Sequence, residues 1–236
     1  MTVLCTHKLP DPDTDDVFLS APKHRLPRRR YSPHRPWQPL SDDEWAVLVP
    51  FLFRSAGPGR PVRDPRGRLD AVFWMAAHTP GPSWSLPPWR TLPPGFGKPD
   101  TVARQFRRWA QAGLWSRLLR ALADPDHPGI RILRRLESWI CRAYRRAWRV
   151  LGVAGVALAR RIGFLSALRA PSVFLPDPDL SEYVKGRLRS AKAVMDKHGF
   201  RAGLAMMPCP DFLHVCNKLL WAAGGGRRVS RHVAPP

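Results

Sequence analysis

Three arginines lie close together on a short predicted helix, and their side chains could contact DNA. The segment TVARQFRRW carries Arg104, Arg107 and Arg108 beside the polar residues Thr101 and Gln105. A guanidinium donates hydrogen bonds to phosphate oxygens and binds the O6 and N7 atoms of guanine bidentately. A basic helix that follows a tight loop is also a common way to enter the major groove. These residues are therefore the first candidates for a DNA-binding surface, and the alternative is a solvated charged face.

Further arginines outside this helix are candidates for contacts with the phosphate backbone. Residues 1–39 include PRRRYSPHRPWQP and predict a disordered basic arm, which could lie along phosphate or in a minor groove. The alternative for the arm is a solvated tail. The complete set of predicted DNA-binding residues is Arg28, Arg29, Arg30, Arg60, Arg90, Thr101, Arg104, Gln105, Arg107 and Arg108.

Metal-ligating and catalytic side chains form no such pattern. The four cysteines lack zinc-finger spacing, and Cys209 and Cys216 with His214 are interpreted as free thiols near a histidine. The acids after residue 125 lie on no strand-like segment, and Asp177-Pro178-Asp179 is typical of a helix lead-in. A carboxylate triad needs rigid neighbouring elements. We therefore expect no metal site, no cofactor and no enzymatic activity.

The charge of the chain favours a polyanionic partner. Its 236 residues include 39 Lys and Arg against 18 acids, a net charge of +21. Of the 39 basic residues 32 are Arg, and there are 27 Pro, a bias that a GC-rich genome would also produce. Residues 125–236 carry a net charge of +13, the largest share. The longest apolar run, 150–159, is shorter than the roughly 20 residues of a membrane span. No signal peptide is predicted, and we expect a cytoplasmic, nucleoid-associated protein.

Local signals predict four helices between residues 40 and 124. Ser41 and Glu44 have the spacing of a capping box at the start of the first helix. A second helix is predicted over 66–77, and Asp100 is predicted to cap the third. A turn at Gly113 leads into the fourth. This arrangement predicts a helix-turn-helix-like domain over 40–124.

The remainder of the chain also has helical periodicity. Residues 131–149 have an apolar stripe at i, i+3, i+4 spacing between arginines, and helices are predicted over 153–168 and 180–195. The basic stretch 131–149 either packs against 153–168 or lies on a membrane surface through Trp139, Tyr144 and Trp148. No strand pattern appears. The chain is therefore predicted to be all-α, a helical bundle with a basic helical region over 129–222 and a flexible tail over 223–236.

Five short motifs in residues 40–122 together resemble the N-terminal region of bacterial insertion-sequence transposases of the insertion-sequence-five type. In chain order they are LSDDEW, GRP, LDAVFW, WRTLP and TVARQFRRW. The resemblance implies a helix-turn-helix-like region that binds DNA. In that family the region precedes an RNase-H-like core in which three carboxylates hold two divalent metal ions. No position of this chain matches those catalytic carboxylates.

The sequence thus predicts a transposase-like protein that recognises the double-stranded DNA at the ends of an element but does not cut it. Its candidate partners, besides DNA, are a separately encoded catalytic subunit and further copies of itself. Two alternatives remain open at this point. One is a peripheral membrane protein that uses residues 131–149, and the other is a non-functional remnant whose C-terminal half is poorly folded.

Overall fold

The computed structural model describes residues 30–53, 62–79, 86–207 and 211–225, and in these ranges it is all-α. The prediction of the fold class is confirmed, since the described residues form ten α-helices and no strand. Four short 3₁₀ turns, Trp89–Thr91, Pro94–Phe96, Leu165–Ala167 and Ser172–Phe174, lie between them. The helices are α1 (Asp42–Phe53), α2 (Pro65–Ala77), α3 (Pro99–Gln111), α4 (Leu114–Ala123), α5 (Ile130–Arg135), α6 (Glu137–Arg146), α7 (Trp148–Ile162), α8 (Pro178–His198), α9 (Phe200–Ala205) and α10 (Phe212–Ala223).

The predicted capping box is present at the start of α1. The Glu44 N–H donates to Ser41 Oγ at 3.2 Å, and the Ser41 N–H donates to Glu44 Oε2 at 3.2 Å. Glu44 is completely buried, and its Oε1 lies 2.9 Å from Arg35 Nη2 and 3.4 Å from Arg135 Nη2. One carboxylate therefore joins the start of α1 to the preceding segment and to the end of α5.

Helix α2 forms with the inner face that the sequence predicts. Asp64 accepts a hydrogen bond from the Gly67 N–H at 2.9 Å, which satisfies one of the free donors at the helix start. Leu69, Val72 and Phe73 are buried, as expected from their helical spacing. The apolar face of α2 thereby becomes one wall of the core.

Helix α3 begins two residues earlier than predicted, since an Asp100 cap would make Thr101 its first residue. Pro99 is its first residue, and Lys98 occupies the capping position without a side-chain hydrogen bond. The expectation that Asp100 caps the helix is therefore wrong, and Asp100 lies in the first turn instead. The turn to α4 passes through Gly113 at φ +76°, a left-handed conformation that disfavours residues with a Cβ atom. Here the glycine permits the tight change of direction between α3 and α4.

Helix α6 is the centre of the main core. Nine of its ten residues are buried, and it packs against α2 and α4. The rings of Phe73 on α2 and Trp139 on α6 are 5.5 Å apart between centroids. The predicted boundary at 125–128 coincides with the turn between α4 and α5, and buried residues on both sides of it belong to one hydrophobic cluster.

The predicted single helix over 131–149 is divided into α5, α6 and the beginning of α7. Trp139 and Tyr144 are fully buried, and Tyr144 Oη donates to the Gly155 carbonyl of α7 at 2.8 Å. The prediction of one continuous amphipathic helix is therefore wrong, and this stretch packs in the core against the segment that follows. Gly152 has φ +58° inside α7 and marks a kink near its start.

A smaller core lies among α8, α9 and α10. Its buried members are Val184, Ala191, Phe212, Cys216 and Leu219. The connection to the main core includes an ion pair of 2.8 Å between Arg160 on α7 and Asp177. Asp177 also accepts a hydrogen bond from the Leu180 N–H at the start of α8. In the part of the chain that the structure describes, no helix has the length and apolarity needed to cross a bilayer.

Candidate nucleic-acid interface

The inner face of α3 is held by aromatic contacts. Phe106 and Trp109 are buried, and their rings lie 5.2 Å and 6.5 Å from that of Trp115 on α4. The ring of Trp89, in the loop before α3, lies 5.3 Å from Phe106. Aromatic pairs at these distances are stabilising. They fix the rotation of α3 about its axis and so decide which of its side chains face solvent.

The outer face of α3 carries the predicted DNA-binding residues. Thr101, Arg104, Arg107 and Arg108 are exposed, and Gln105 is half-buried. Positions 104, 107 and 108 are three and four residues apart and therefore share one side of the helix. Within the described residues none of these three guanidiniums makes a salt bridge. The sequence prediction that these side chains form one basic face is thus consistent with their placement.

One more predicted DNA-binding residue, Arg90, lies in the loop before α3. Arg90 is exposed in the turn Trp89–Thr91. That turn is anchored from both sides, because Leu92 is buried and the Arg146 guanidinium lies 4.3 Å from the centre of the Trp89 ring. Burial lowers the pKa of Arg146 to about 10. Arg146 is therefore a structural residue that holds the loop, while Arg90 faces solvent.

The described part of the N-terminal arm, residues 30–39, makes contacts with the helical region. Arg30 Nη2 lies 3.0 Å from Glu137 Oε2, and its guanidinium lies 4.6 Å from the centre of the Phe164 ring. Its backbone also bonds to Gly163 and Leu165. Arg30 is therefore engaged within the fold. Arg28, Arg29 and Arg60 lie outside the described residues.

Two arginines of the C-terminal region are buried within the fold. Arg142 and Arg145 on α6 are only 8% and 6% exposed. Arg142 Nη1 donates to the carbonyls of Ala76 and Ala77 at 3.4 and 3.3 Å, at the C-terminal end of α2. A cation there interacts favourably with the helix dipole. Arg142 therefore has a structural role that the sequence did not reveal.

The acids after residue 125 are mostly engaged in ion pairs within the chain. These pairs are Glu137 with Arg30, Asp177 with Arg160, Asp179 with Arg161, Glu182 with Lys185 and Asp196 with Lys192. The hydrogen bonds from Arg161 lower the pKa of Asp179. Among the described residues no group of three or more histidine, cysteine or carboxylate side chains could hold a metal ion.

Comparison with known proteins identifies the family. Residues 40–119 match the family described as "Putative transposase of IS4/5 family (DUF4096)". A similar protein is the uncharacterized protein y4sN of Sinorhizobium fredii (strain NBRC 101917 / NGR234). The two are 32% identical over 113 residues, which cover 46% of this chain and 79% of the relative. The chain belongs to this IS4/5 transposase family. The matched residues 40–119 of this chain include all of α3 and the five motifs, which confirms the resemblance. No solved structure matches the chain.

Proposed function

We propose that this transposase-family protein binds double-stranded DNA through the outer face of α3 and recognises the ends of an insertion element. The observation that carries the proposal is the exposed set of Arg104, Arg107 and Arg108, which share one side of a helix and make no salt bridge within the described residues. Membership of a transposase family supports DNA as the polyanion.

The proposed geometry places α3 in the major groove. The groove is about 12 Å wide and admits one α-helix. Arg104 lies near the middle of the exposed arc, and Arg107 and Arg108 lie one turn further along. Arg104 and Arg108 are the proposed base-reading residues, since one good bidentate contact with guanine is worth about 1–3 kcal/mol. Thr101, in the first turn of α3, and Arg90, in the turn Trp89–Thr91, would contact phosphate.

We further propose that this chain binds DNA and leaves strand cleavage to a separately encoded subunit, with further copies of this chain as a second candidate partner. The pairing of Glu137, Asp177 and Asp179 with arginines supports this, because those carboxylates already have partners within the fold. The protein would act in the cytoplasm at the nucleoid. The membrane alternative loses its main support, since Trp139 and Tyr144 are buried in the core.

The test is a double substitution on α3 with a charge-matched control. Arg107→Ala with Arg108→Ala removes two charges from the proposed interface, and Lys197→Ala with Arg201→Ala removes two exposed charges from α8 and α9. Binding of a labelled duplex from the DNA flanking the coding sequence is measured by fluorescence anisotropy. Two lost contacts predict at least about tenfold weaker binding for the α3 variant. The control variant is expected to stay within about twofold.

Equal losses in the two variants would contradict the proposal, because they would show that only net charge matters. Retained wild-type affinity in the α3 variant would remove α3 from the interface. Failure of the wild-type protein to bind any duplex would favour a non-functional remnant.

A further inference from the structure

A cavity lined by elements other than α3 carries a second group of arginines. This cavity of about 380 Å³ opens between residues 31–32, helix α6 and the loop after α7. Arg142 and Arg145 line it from α6, and Arg169 lines it from the loop. Ser32 and Ser166 add hydroxyl groups. The chemistry of this wall is that of a site for a negatively charged group, because guanidinium and hydroxyl donors are the usual partners of phosphate oxygens.

The charges of the cavity wall are close together and poorly solvated. Arg142 and Arg145 are three residues apart on α6, and both are more than nine-tenths buried. Burial lowers the pKa of Arg145, and the neighbouring charge of Arg142 lowers it further. None of the described residues that line the cavity is a carboxylate. An anion between these guanidiniums would reduce their mutual repulsion and replace lost solvation.

One hydroxyl of the wall is already oriented by the backbone. The Ser32 N–H donates to Ser166 Oγ at 2.8 Å, so Ser166 Oγ acts as an acceptor towards the protein. A serine hydroxyl also has one proton to donate. Ser166 can therefore donate to a ligand oxygen while Ser32 holds its position.

The size and the apolar lining of the cavity indicate a ligand larger than an inorganic ion. Ligand pockets are typically about 300–1,000 Å³, and this cavity falls within that range. Leu165 and Leu168 form an apolar part of the lining, and the side chain of Tyr31 stands at the cavity and is 67% exposed. Exposed aromatic rings stack on nucleobases. The lining thus offers a cationic part and an aromatic part in the same cavity.

We propose that this cavity binds a nucleotide, with its phosphate between Arg142, Arg145 and Arg169 and its base against Tyr31. Two sources have this chemistry: a free mononucleotide and the 5′-phosphorylated end of a DNA strand. The site lies on elements other than α3, so the proposal does not rest on the DNA-binding function of that helix.

The test is a calorimetric titration of the full-length protein with deoxyadenosine 5′-monophosphate at about 0.15 M salt, where exposed charges are screened beyond about 8 Å. Arg169→Gln removes one exposed cation of the cavity. Arg149→Gln is the matched control, because both guanidiniums lie over the Trp148 ring, at 4.0 and 5.5 Å, and only Arg169 lines the cavity. We expect about tenfold weaker binding for Arg169→Gln and less than about twofold for the control.

Saturable binding with this difference between the variants supports the site. No saturable binding to the wild-type protein, or equal weakening in both variants, overturns it. Inorganic phosphate that binds as tightly as the nucleotide would overturn the role of Tyr31, and Tyr31→Leu should weaken binding of the nucleotide but not of phosphate.

Short single-stranded oligonucleotides with and without a 5′-phosphate distinguish the two sources. Displacement of the mononucleotide only by the phosphorylated strand identifies a strand end as the ligand. Displacement by neither identifies a free nucleotide. Because the Arg107→Ala, Arg108→Ala variant keeps this cavity intact, it should bind the mononucleotide normally even where duplex binding is lost.

Discussion

Glu44 offers the sharpest test of how the fold is held together. Its carboxylate is completely buried and contacts Arg35, Arg135 and the Ser41 N–H. Glu44→Ala removes the shared partner of all three groups. Arg35 is affected most, since its side chain is only 16% exposed, whereas that of Arg135 is 57% exposed and can return to water.

The expected loss of stability follows from these contacts. Removing one partner of a buried ion pair costs about 3–5 kcal/mol. The Arg35 guanidinium keeps a second contact, 4.1 Å from the centre of the Trp139 ring, which favours the lower end of that range. Losing the capping box adds roughly 1 kcal/mol. We therefore expect Glu44→Ala to lower the free energy of unfolding by about 4 kcal/mol, or Tm by about 10 °C for a chain of this size.

The assay is thermal unfolding of the full-length protein followed by circular dichroism and tryptophan fluorescence. Asp43→Ala is the matched control, because Asp43 is an exposed acid in the same helical turn. It loses only a favourable charge at the helix start, roughly 0.5 kcal/mol. If Glu44→Ala unfolds within about 2 °C of Asp43→Ala, Glu44 does not join these elements and the reasoning fails.

Three further predictions concern the turn, the core thiol and the continuity of the core. Gly113→Ala should lower the free energy of unfolding in urea by about 1 kcal/mol, because φ at this position is +76°. The exposed Gln111→Ala is the control. An equally small loss of stability in both variants would show that the turn imposes no strain on alanine. Burial raises the pKa of the Cys141 thiol to about 12, so iodoacetamide at pH 8 should leave Cys141 unmodified in the native protein. The contribution of Cys141 to stability should decline as the pH rises from about 8.5, the pKa of a free thiol, towards 12. Alkylation of Cys141 at the rate of a denatured control would disprove its burial. Limited trypsin digestion should give no lasting fragment that ends near Asp124, because one core spans that turn, and accumulation of such a fragment would show that the C-terminal half is poorly folded.

The elements that were predicted from sequence are those fixed by neighbours along the chain. The Ser41–Glu44 capping box and the buried face of α2 depend on residues three or four positions apart, and both are as expected. The inner face of α3, with Phe106 and Trp109, follows from the same periodicity. The family resemblance over the N-terminal region is also confirmed. Local spacing was therefore sufficient for these helices and for the outward direction of the basic face.

The features that sequence reasoning missed depend on distant partners. Arg30 pairs with Glu137, 107 positions away, and Arg142 donates to carbonyls that lie 65 and 66 positions earlier. Charge patterning assigns such arginines to solvent because burial of a cation is costly without a specific acceptor. The one available signal was Glu137, a lone acid among the arginines of the 131–149 stretch. DNA contact by α3 stays a prediction.

The central claim is that this protein recognises a specific DNA site. The most direct measurement is fluorescence anisotropy with the duplex flanking the coding sequence and a scrambled duplex of the same length and composition, each across a salt series. Recognition predicts tighter binding to the flanking duplex, with a difference that persists at moderate salt. If both duplexes bind with equal affinity, and both affinities fall in parallel as the salt concentration rises, binding depends only on the attraction between positive charge and phosphate. The claim of site recognition would then be wrong.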